Sequence, residues 1–473
     1  MLRPRGSGEG RELRFRLPHI YVSLFLLMTA AAIATYFVPA GAYDRVPGPE
    51  GRETVDPTSY RTVEQSPTGI EDFILAIPNG LIDAAEVVFF TLIIGGMFMV
   101  LRRTGIIEIG VDKLTRVFAE RSIALIPVLV TVFAIIASLI GTPELSLVYI
   151  PVLLPLLIAL GYDSVVAAAI ALIGTATGFT AGVLNPINTG LAQQISDVPL
   201  WSGAGYRAMV FLVIVSAGSL YVMRYARKIQ ADPKSSLVYE EDEEKRELYR
   251  GLAQSEERRA TTRQKVAAVA TLAFFGILVY GVLGRGWFFL EMSGLFIIMG
   301  AVVGLIAGLT LTQICEGFNQ GFREVLMGAI IVGVARSVAV VMEEGQILDT
   351  IVNGLGVAVG ALPGVLGVIG MYFAQLAFNL IVPSGSGQAV VTMPIMAPLS
   401  DLIGVTRQTS ILAYQLGDGL ANIIYPTSGY FMAALVIAGV SWEKWVRFFW
   451  PLMLVWIAIS VALLVIAHVA QWT

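Results

Sequence analysis

Long apolar runs almost free of charge recur from one end of this 473-residue chain to the other, and nothing else restricts its fold as strongly. A helix needs roughly 20 residues to cross about 30 Å of hydrocarbon. The runs 18–40, 84–101, 207–226, 265–284, 288–312, 325–342 and 445–469 are clean enough to do so. The stretches 122–160, 164–200, 362–404 and 407–440 are too long for one crossing and are broken by Gly, Pro and polar residues. Hydrophobic residues make up 56% and charged ones 14%, where a soluble domain carries about 25% charge. That excludes a cytosolic enzyme, a disordered chain and a secreted disulfide scaffold, and leaves an all-α polytopic membrane protein. Cys315 is the single cysteine, and His19 and His468 lie at opposite ends. No disulfide, metal centre or histidine-based catalysis is expected from such a set. The net charge is −4 without a basic tract, so no nucleic-acid partner is expected.

Charge bias orients the chain. Residues 1–17 hold five Arg against two Glu, 102–121 five basic residues against three acids, and 224–265 eleven against nine. Residues 41–72 hold three Arg against seven acids. Basic flanks stay in the cytoplasm. The N-terminus, 102–121 and the linker 227–264 are therefore expected inside a cytoplasmic (inner) membrane, and 41–72 outside. Ala40-Gly41-Ala42 resembles a signal-peptidase site, but the run before it is longer than a signal core and is read as a retained helix. The linker 227–264 is read as solvated.

The chain repeats itself. Pro151, Pro155 and Gly161 recur as Pro394, Pro398 and Gly404, all 243 residues on. Gly105 and its apolar sequel resemble the run from Gly345, and Ala181–Pro186 resembles Ala421–Pro426, both at an offset of 240. Arg102 and Arg103 follow the span 84–101, whereas Glu343 and Glu344 follow its counterpart 325–342. Opposite charge at equivalent ends points to repeats of opposite topology. The expected organisation is a first repeat over 18–226, the linker, a linking helix 265–284 and a second, inverted repeat over 288–473. Inverted repeats with broken helices mark secondary transporters, whose sites lie near the midplane.

The breaks come in pairs. Gly141-Thr142-Pro143-Glu144 interrupts 122–160, and Val382 to Gln388 interrupts 362–404. Each reads as the tip of a re-entrant hairpin. Irregular backbone at membrane depth is tolerated only where protein, water or a ligand satisfies it. The stretches 164–200 and 407–440 read as unwound helices. Asn185, Asn188 and Thr189 stand at the first break, and Asp418, Asn422 and Thr427 at the second. With Thr142, Glu144, Ser384 and Ser386 these are the expected substrate-binding residues. Gly141, Gln388 and Arg336 are candidate ion or carboxylate partners. Intramembrane acids are costly and functional by default, so Glu144 and Asp418 carry most weight. They could bind a substrate ammonium or guanidinium, a proton or Na+. Arg336 could hold a substrate carboxylate or pair with an acid of the scaffold. Asp83 and Glu86 read as a solvated face.

Three stretches carry a family resemblance: Val38-Pro-Ala-Gly-Ala-Tyr-Asp-Arg45, Gly174 to Gly190, and Asn379-Leu-Ile-Val-Pro-Ser-Gly-Ser-Gly-Gln388 continuing to Tyr425-Pro-Thr-Ser-Gly429. They resemble the YfcC/DcuC group of the ion-transporter superfamily, which holds basic amino-acid antiporters, arginine/ornithine exchangers and C4-dicarboxylate carriers. The resemblance implies a scaffold domain and a transport domain moving in an elevator-like step, within a homodimer in membrane lipid. It implies substrate and ion sites at hairpin tips and unwound loops. Dicarboxylate carriers of the superfamily often carry Ser-Asn-Thr at those tips, and this chain departs from that pattern.

The expected function is secondary active transport of a small charged solute, an amino acid and foremost a basic one. A C4-dicarboxylate is the alternative. A channel would need a continuous polar stripe, and an intramembrane serine protease a histidine near Ser384 or Ser386. Neither is present. The chain also lacks a nucleotide-binding loop, so no cofactor is expected and an ion or solute gradient must drive transport, with Na+ or H+ as candidate coupling ions.

Overall fold

A computed structural model describes residues 20–49, 52–107, 109, 110, 113, 118, 121–253 and 260–473. The expected N-terminal segment 1–17, His19, nine residues of 102–121 and part of the linker lie outside the described residues. Among the described residues, eight helices are long and apolar enough to cross a membrane.

The chain runs α1 (Ile20–Ala34), α2 (Ile70–Asp83), α3 (Ala85–Arg103), α4 (Ser122–Ile140), α5 (Ser146–Ala159), α6 (Ser164–Ala181), α7 (Leu191–Ile195), α8 (Ala204–Ala231) and α9 (Glu243–Ala253). The second half contributes α10 (Thr262–Arg285), α11 (Phe289–Ala307), α12 (Leu311–Glu344), α13 (Leu348–Gly360), α14 (Gly364–Phe378), α15 (Gly385–Leu402), α16 (Arg407–Ala421), α17 (Gly429–Ala438) and α18 (Trp442–Val469). Side-chain caps start the long helices where the sequence supplies them. Asp163 accepts from the Val166 N–H at 2.9 Å, and Thr261 and Thr310 form capping boxes with Gln264 and Gln313.

Two helix groups build the molecule. In one, α6 is the axis, and every residue from Ser164 to Ala181 is buried. It packs against α4, α5, α8, α16 and α17. Its small residues permit that crowding. A Cβ on Gly178 would sit 1.9 Å from the Ala134 carbonyl oxygen, so α4 and α6 touch backbone to backbone. In the other group α12 packs along α3, α2 and α1. There a Cβ on Gly321 would lie 2.2 Å from the Gly95 oxygen. The groups meet where α17 crosses α12.

Both hairpins fold as helix, tip and returning helix. Leu125 near the start of α4 and Leu156 near the end of α5 share one apolar cluster, so the chain returns to the end it left. Phe133 and Tyr149 stack between the arms at 4.0 Å. In the second hairpin a Cβ on Gly367 would meet Ile403, which closes the base in the same way.

Three features differ from the sequence-based expectation. An all-α chain is expected, but within 41–72 Gly41–Ala42 pairs antiparallel with Arg61–Thr62, and Arg45–Pro47 with Glu53–Val55. The fold is thus not purely helical, and this small β cap is pinned to α13 by the Arg45–Asp349 ion pair (2.9 Å) and the Tyr43 N–H on Asp349 (2.9 Å). The expected span 325–342 is the end of a 34-residue helix, Leu311–Glu344. At about 1.5 Å per residue it is much longer than a bilayer core, and its first turns are polar. The linker is docked rather than solvated. Asp242 is fully buried and accepts from Ser164 N (2.7 Å) and Oγ (2.5 Å), while Lys245 donates to Asp242 (2.8 Å) and the Ala438 carbonyl (2.9 Å). Charge density in the sequence hides this, because the buried acid is one of five in a row.

Candidate functional site

The four breaks converge on Asp418. Gly141 ends α4 in the left-handed conformation (φ 80°), which suits glycine. A Cβ there would lie 2.2 Å from Asn185 Oδ1, so the first tip rests against the first unwound segment. Pro143 then opens the short turn Pro143–Leu145 that carries Glu144. Gly182 (φ 49°) ends α6, and Asn185 restarts the chain, its Oδ1 accepting from the N–H groups of Ile187 and Asn188, both at 3.0 Å. One π turn over Pro186–Gly190 leads into α7. Thr189 donates to the Gly182 carbonyl at 2.7 Å and accepts from Gln415 of α16. The two unwound helices are thereby tied together.

The second tip is built from amides. Asn379 closes α14, and Ser384 caps α15 by accepting from the Gly387 N–H at 3.3 Å. A Cβ on Gly385 would lie 2.1 Å from Asn188 Nδ2, which places this tip against the first unwound segment as well. Asn379 donates to Asp418 Oδ1 at 2.8 Å and to Gln388 Oε1 at 3.1 Å. Gln388 in turn donates to Gln375 Oε1 at 2.6 Å, and Gln375 to Thr392 at 3.0 Å.

Asp418 is fully buried. Its Oδ1 also accepts from Asn422 at 3.2 Å, and its Oδ2 from Asn188 at 3.2 Å. Three amide donors, from a hairpin and both unwound helices, thus converge on one carboxylate. Glu144 lies within electrostatic reach of it, and Tyr430 within reach of both acids. Among the described residues neither acid has an ion-pair partner. Three amides spread a buried negative charge without cancelling it.

Unpartnered buried polar atoms gather in the same place. They include Thr142 Oγ1, Glu144 Oε2, Asn185 Nδ2, Asn188 Oδ1, Asn379 Oδ1 and Thr427 Oγ1. Buried polar groups are almost always hydrogen-bonded, so a cluster of exceptions marks where a polar ligand or water is accommodated. The arrangement can take a cation or a hydrogen-bonding solute, and two of its acceptor groups are the carboxyls of Glu144 and Asp418.

The structure brings together Gly141, Thr142, Glu144, Asn185, Asn188, Thr189, Ser384, Gln388, Asp418 and Asn422 through the contacts above. Ser386 is half-buried on the first turn of α15, and Thr427 is buried at the second break. Arg336 stands apart. It is on α12, where it pairs with Asp83 at 3.4 Å and Glu343 at 3.1 Å. Of the two roles open to it in the sequence, pairing with a scaffold acid is the one it fills, and Asp83 is not merely a solvated residue. Gln375, Thr392 and Tyr430 join the site without having been singled out in the sequence. Gln375 and Asn379 are four apart in an apolar helix, so they share a face, and that spacing is the signal that could reveal them.

Helices long and apolar enough to span, two helical hairpins and a buried polar cluster between them suit a multi-pass membrane transporter. The sequence matches the family of the C4-dicarboxylate anaerobic carrier, DcuC, over residues 17–469, and the chain belongs to that family. It is 32% identical to the "Putative basic amino acid antiporter YfcC" of Escherichia coli (strain K12), over 92% of this chain and 93% of that protein. It is 28% identical to an uncharacterized protein of Haemophilus influenzae, over 96% and 98% of the two chains. Among solved structures, the Alcanivorax borkumensis YdaH transporter aligns with a TM-score of 0.43 and 14% identity, over 96% of this chain and 99% of that one.

Proposed function

We propose that this transporter carries a small charged organic solute, an amino acid and foremost a basic one, by secondary active transport. The observation that carries the reading is Asp418: a fully buried carboxylate beside Glu144, with amide donors around it and, among the described residues, no cation paired to it. An ammonium or guanidinium would supply the missing charge. The relative YfcC bears a name of the same sense. The elevator-like step has support in the packing. The hairpins and unwound helices cluster around α6 and α16, and the α3–α12 group stands beside them.

Inverted repeats are part of the proposal. The base of the first hairpin lies by Asp163 and the docked linker, which also holds the Ala438 carbonyl where α18 is about to begin. The base of the second lies by Thr406, which donates to Trp472 O just past the end of α18. The 28 residues of α18 separate the two bases by about 40 Å, so the hairpins enter from opposite ends. The coupling ion, Na+ or H+, the homodimer and placement in the inner membrane with a cytoplasmic N-terminus belong to the same proposal.

The second reading is a C4-dicarboxylate carrier, favoured by the description of the family. Two uncompensated acids at the breaks weigh against it, because a dianion would be repelled. Counterflow in proteoliposomes decides between them. Exchange of arginine, ornithine or lysine is expected. Uptake of succinate or fumarate with none of the basic amino acids rejects the amino-acid assignment.

A further inference from the structure

A cavity of about 360 Å³ lies between the two helix groups and shares no lining residue with the site around Asp418. α3 and α12 line one side, where Gly95 and Gly321 bring their backbones together. α5 and α17 line the other, and α9 of the docked linker adds an edge. Most of the lining is apolar, with Phe98 and Val325 from one group and Leu154 and Val436 from the other. An apolar cavity of about 150 Å³ takes up a benzene-sized guest, so this one has room for a good part of an acyl chain. For a protein that spans a bilayer, a lipid tail is the apolar guest at hand, and it is as apolar as a leucine side chain.

The charged part of the lining adjoins the end of α3. Arg102 stands in the last turn of that helix, and Glu244 and Lys245 in the first turn of α9. Glu324 joins them from α12, one turn beyond Gln320, which accepts from Arg103 at 2.8 Å. Lys245 is already committed: its ammonium donates to Ser164 Oγ, Asp242 and the Ala438 carbonyl at 2.7, 2.8 and 2.9 Å. Arg102, Glu244 and Glu324 form no ion pair among the described residues. One cation and two anions therefore stand beside an apolar slot. A headgroup with a phosphate and a primary ammonium complements that set, with Arg102 for the phosphate and two carboxylates for the ammonium. An anionic headgroup without an ammonium meets one attraction and two repulsions. A choline headgroup has no N–H to donate, unlike a primary ammonium with its three.

We infer that this cavity is a binding site for phosphatidylethanolamine, with one acyl chain in the seam between the helix groups, the phosphate on Arg102 and the ammonium on Glu244 and Glu324. Arginine suits the phosphate, because its planar fork makes two parallel hydrogen bonds to it. A chain in the seam contacts both groups at once and holds them in the arrangement seen here, since each added apolar contact contributes dispersion energy that a void would forgo. The docked linker acquires a second role from this. By fixing Lys245 on Asp242 it sets Glu244 at the edge of the cavity, so the linker forms part of the headgroup site.

The test uses the full-length protein in proteoliposomes with phosphatidylethanolamine that carries a photoactivatable diazirine in one acyl chain, and maps the label by peptide mass spectrometry. Wild type should be labelled on α3 and α5 around the cavity as well as on the exposed apolar face of α10 at Val269 and Leu272. L154W fills the cavity and should remove the first label while keeping the second. Unlabelled phosphatidylethanolamine should compete for the cavity label roughly tenfold better than phosphatidylcholine or phosphatidylglycerol. R102Q and E324Q should each weaken that competition about three- to tenfold, whereas E316Q, whose carboxylate pairs with Arg103 outside the cavity, should match wild type. If L154W does not fold, the headgroup variants and the lipid series decide alone. Label on the face of α10 only, or equal competition by all three lipids, means bulk lipid and overturns the inference. Cavity label that excess arginine removes would make the cavity part of the solute's path and overturns it as well. None of these outcomes depends on which solute is carried, so the transport reading is judged separately by counterflow.

Discussion

Replacing Asp418 by Asn separates the binding role of this residue from its structural one. Asp418 accepts three amide hydrogen bonds, from Asn379, Asn422 and Asn188. In D418N the remaining carbonyl oxygen can keep the two bonds to Oδ1. The new amide group would face the Asn188 donor, but Asn188 Oδ1 is buried without a partner. A flip of the Asn188 amide turns that clash into a hydrogen bond and satisfies the orphan oxygen. The fold should therefore lose little, about 1 kcal/mol or less. D418A is different, since it leaves the buried amides of Asn188 and Asn422 without an acceptor and Asn379 with Gln388 alone, and it should cost about 3 kcal/mol or more. Transport should respond even to the milder change. A cationic solute loses one of two acids in D418N, a charge-assisted contact of roughly 2–3 kcal/mol, which is about 30- to 140-fold in affinity. Apparent melting temperature in detergent and arginine half-saturation by counterflow measure the two effects on the same sample. Wild-type half-saturation and rate in a D418N that melts normally would falsify the assignment of Asp418 to the site. A D418N that melts like D418A would instead refute the amide-flip argument.

Three further outcomes follow from the geometry. Gly141→Ala forces a side chain into the left-handed region and against Asn185 Oδ1, so it should cost about 1–2 kcal/mol and abolish most transport, read as melting temperature and counterflow. Asp242→Ala leaves the Ser164 N–H and the Lys245 ammonium short of their buried acceptor and should destabilise by about 2–4 kcal/mol, whereas D242N should cost less; unchanged melting in D242A would remove the docked linker as a structural element. Arg336→Gln breaks two partly exposed ion pairs, so stability should change by about 1 kcal/mol or less and arginine half-saturation should stay within about twofold; a tenfold loss would return Arg336 to the site.

Much of this architecture is legible in the chain because a membrane leaves few solutions. Apolar runs must be helices, and Gly or Pro at membrane depth must have a reason. That is why the break at Gly141–Glu144 and the pair Asn185 and Asn188 stand out before any geometry is known. The β cap is not legible. Its strands are two or three residues long, too short for an alternating pattern, and they are set by contacts to α13 some 300 residues away. The docked linker is hidden for a related reason. Burial of Asp242 depends on Ser164 and Ala438, which sequence distance separates and topology joins.

Arg336 shows where reading a sequence reaches its limit. It is conspicuous because it lies inside an apolar run, where an isolated charge is costly. Yet a long helix can hold such a charge near its end, and α12 places it beside Asp83 and Glu343. A charge becomes available for a ligand by being left over, and what is left over is a property of the whole pairing pattern. That logic singles out Asp418 and Glu144, neither of which has an ion-pair partner among the described residues. Local sequence marks where charges are costly, whereas the fold decides which of them stay uncompensated, and it is the uncompensated ones that can recognise a solute.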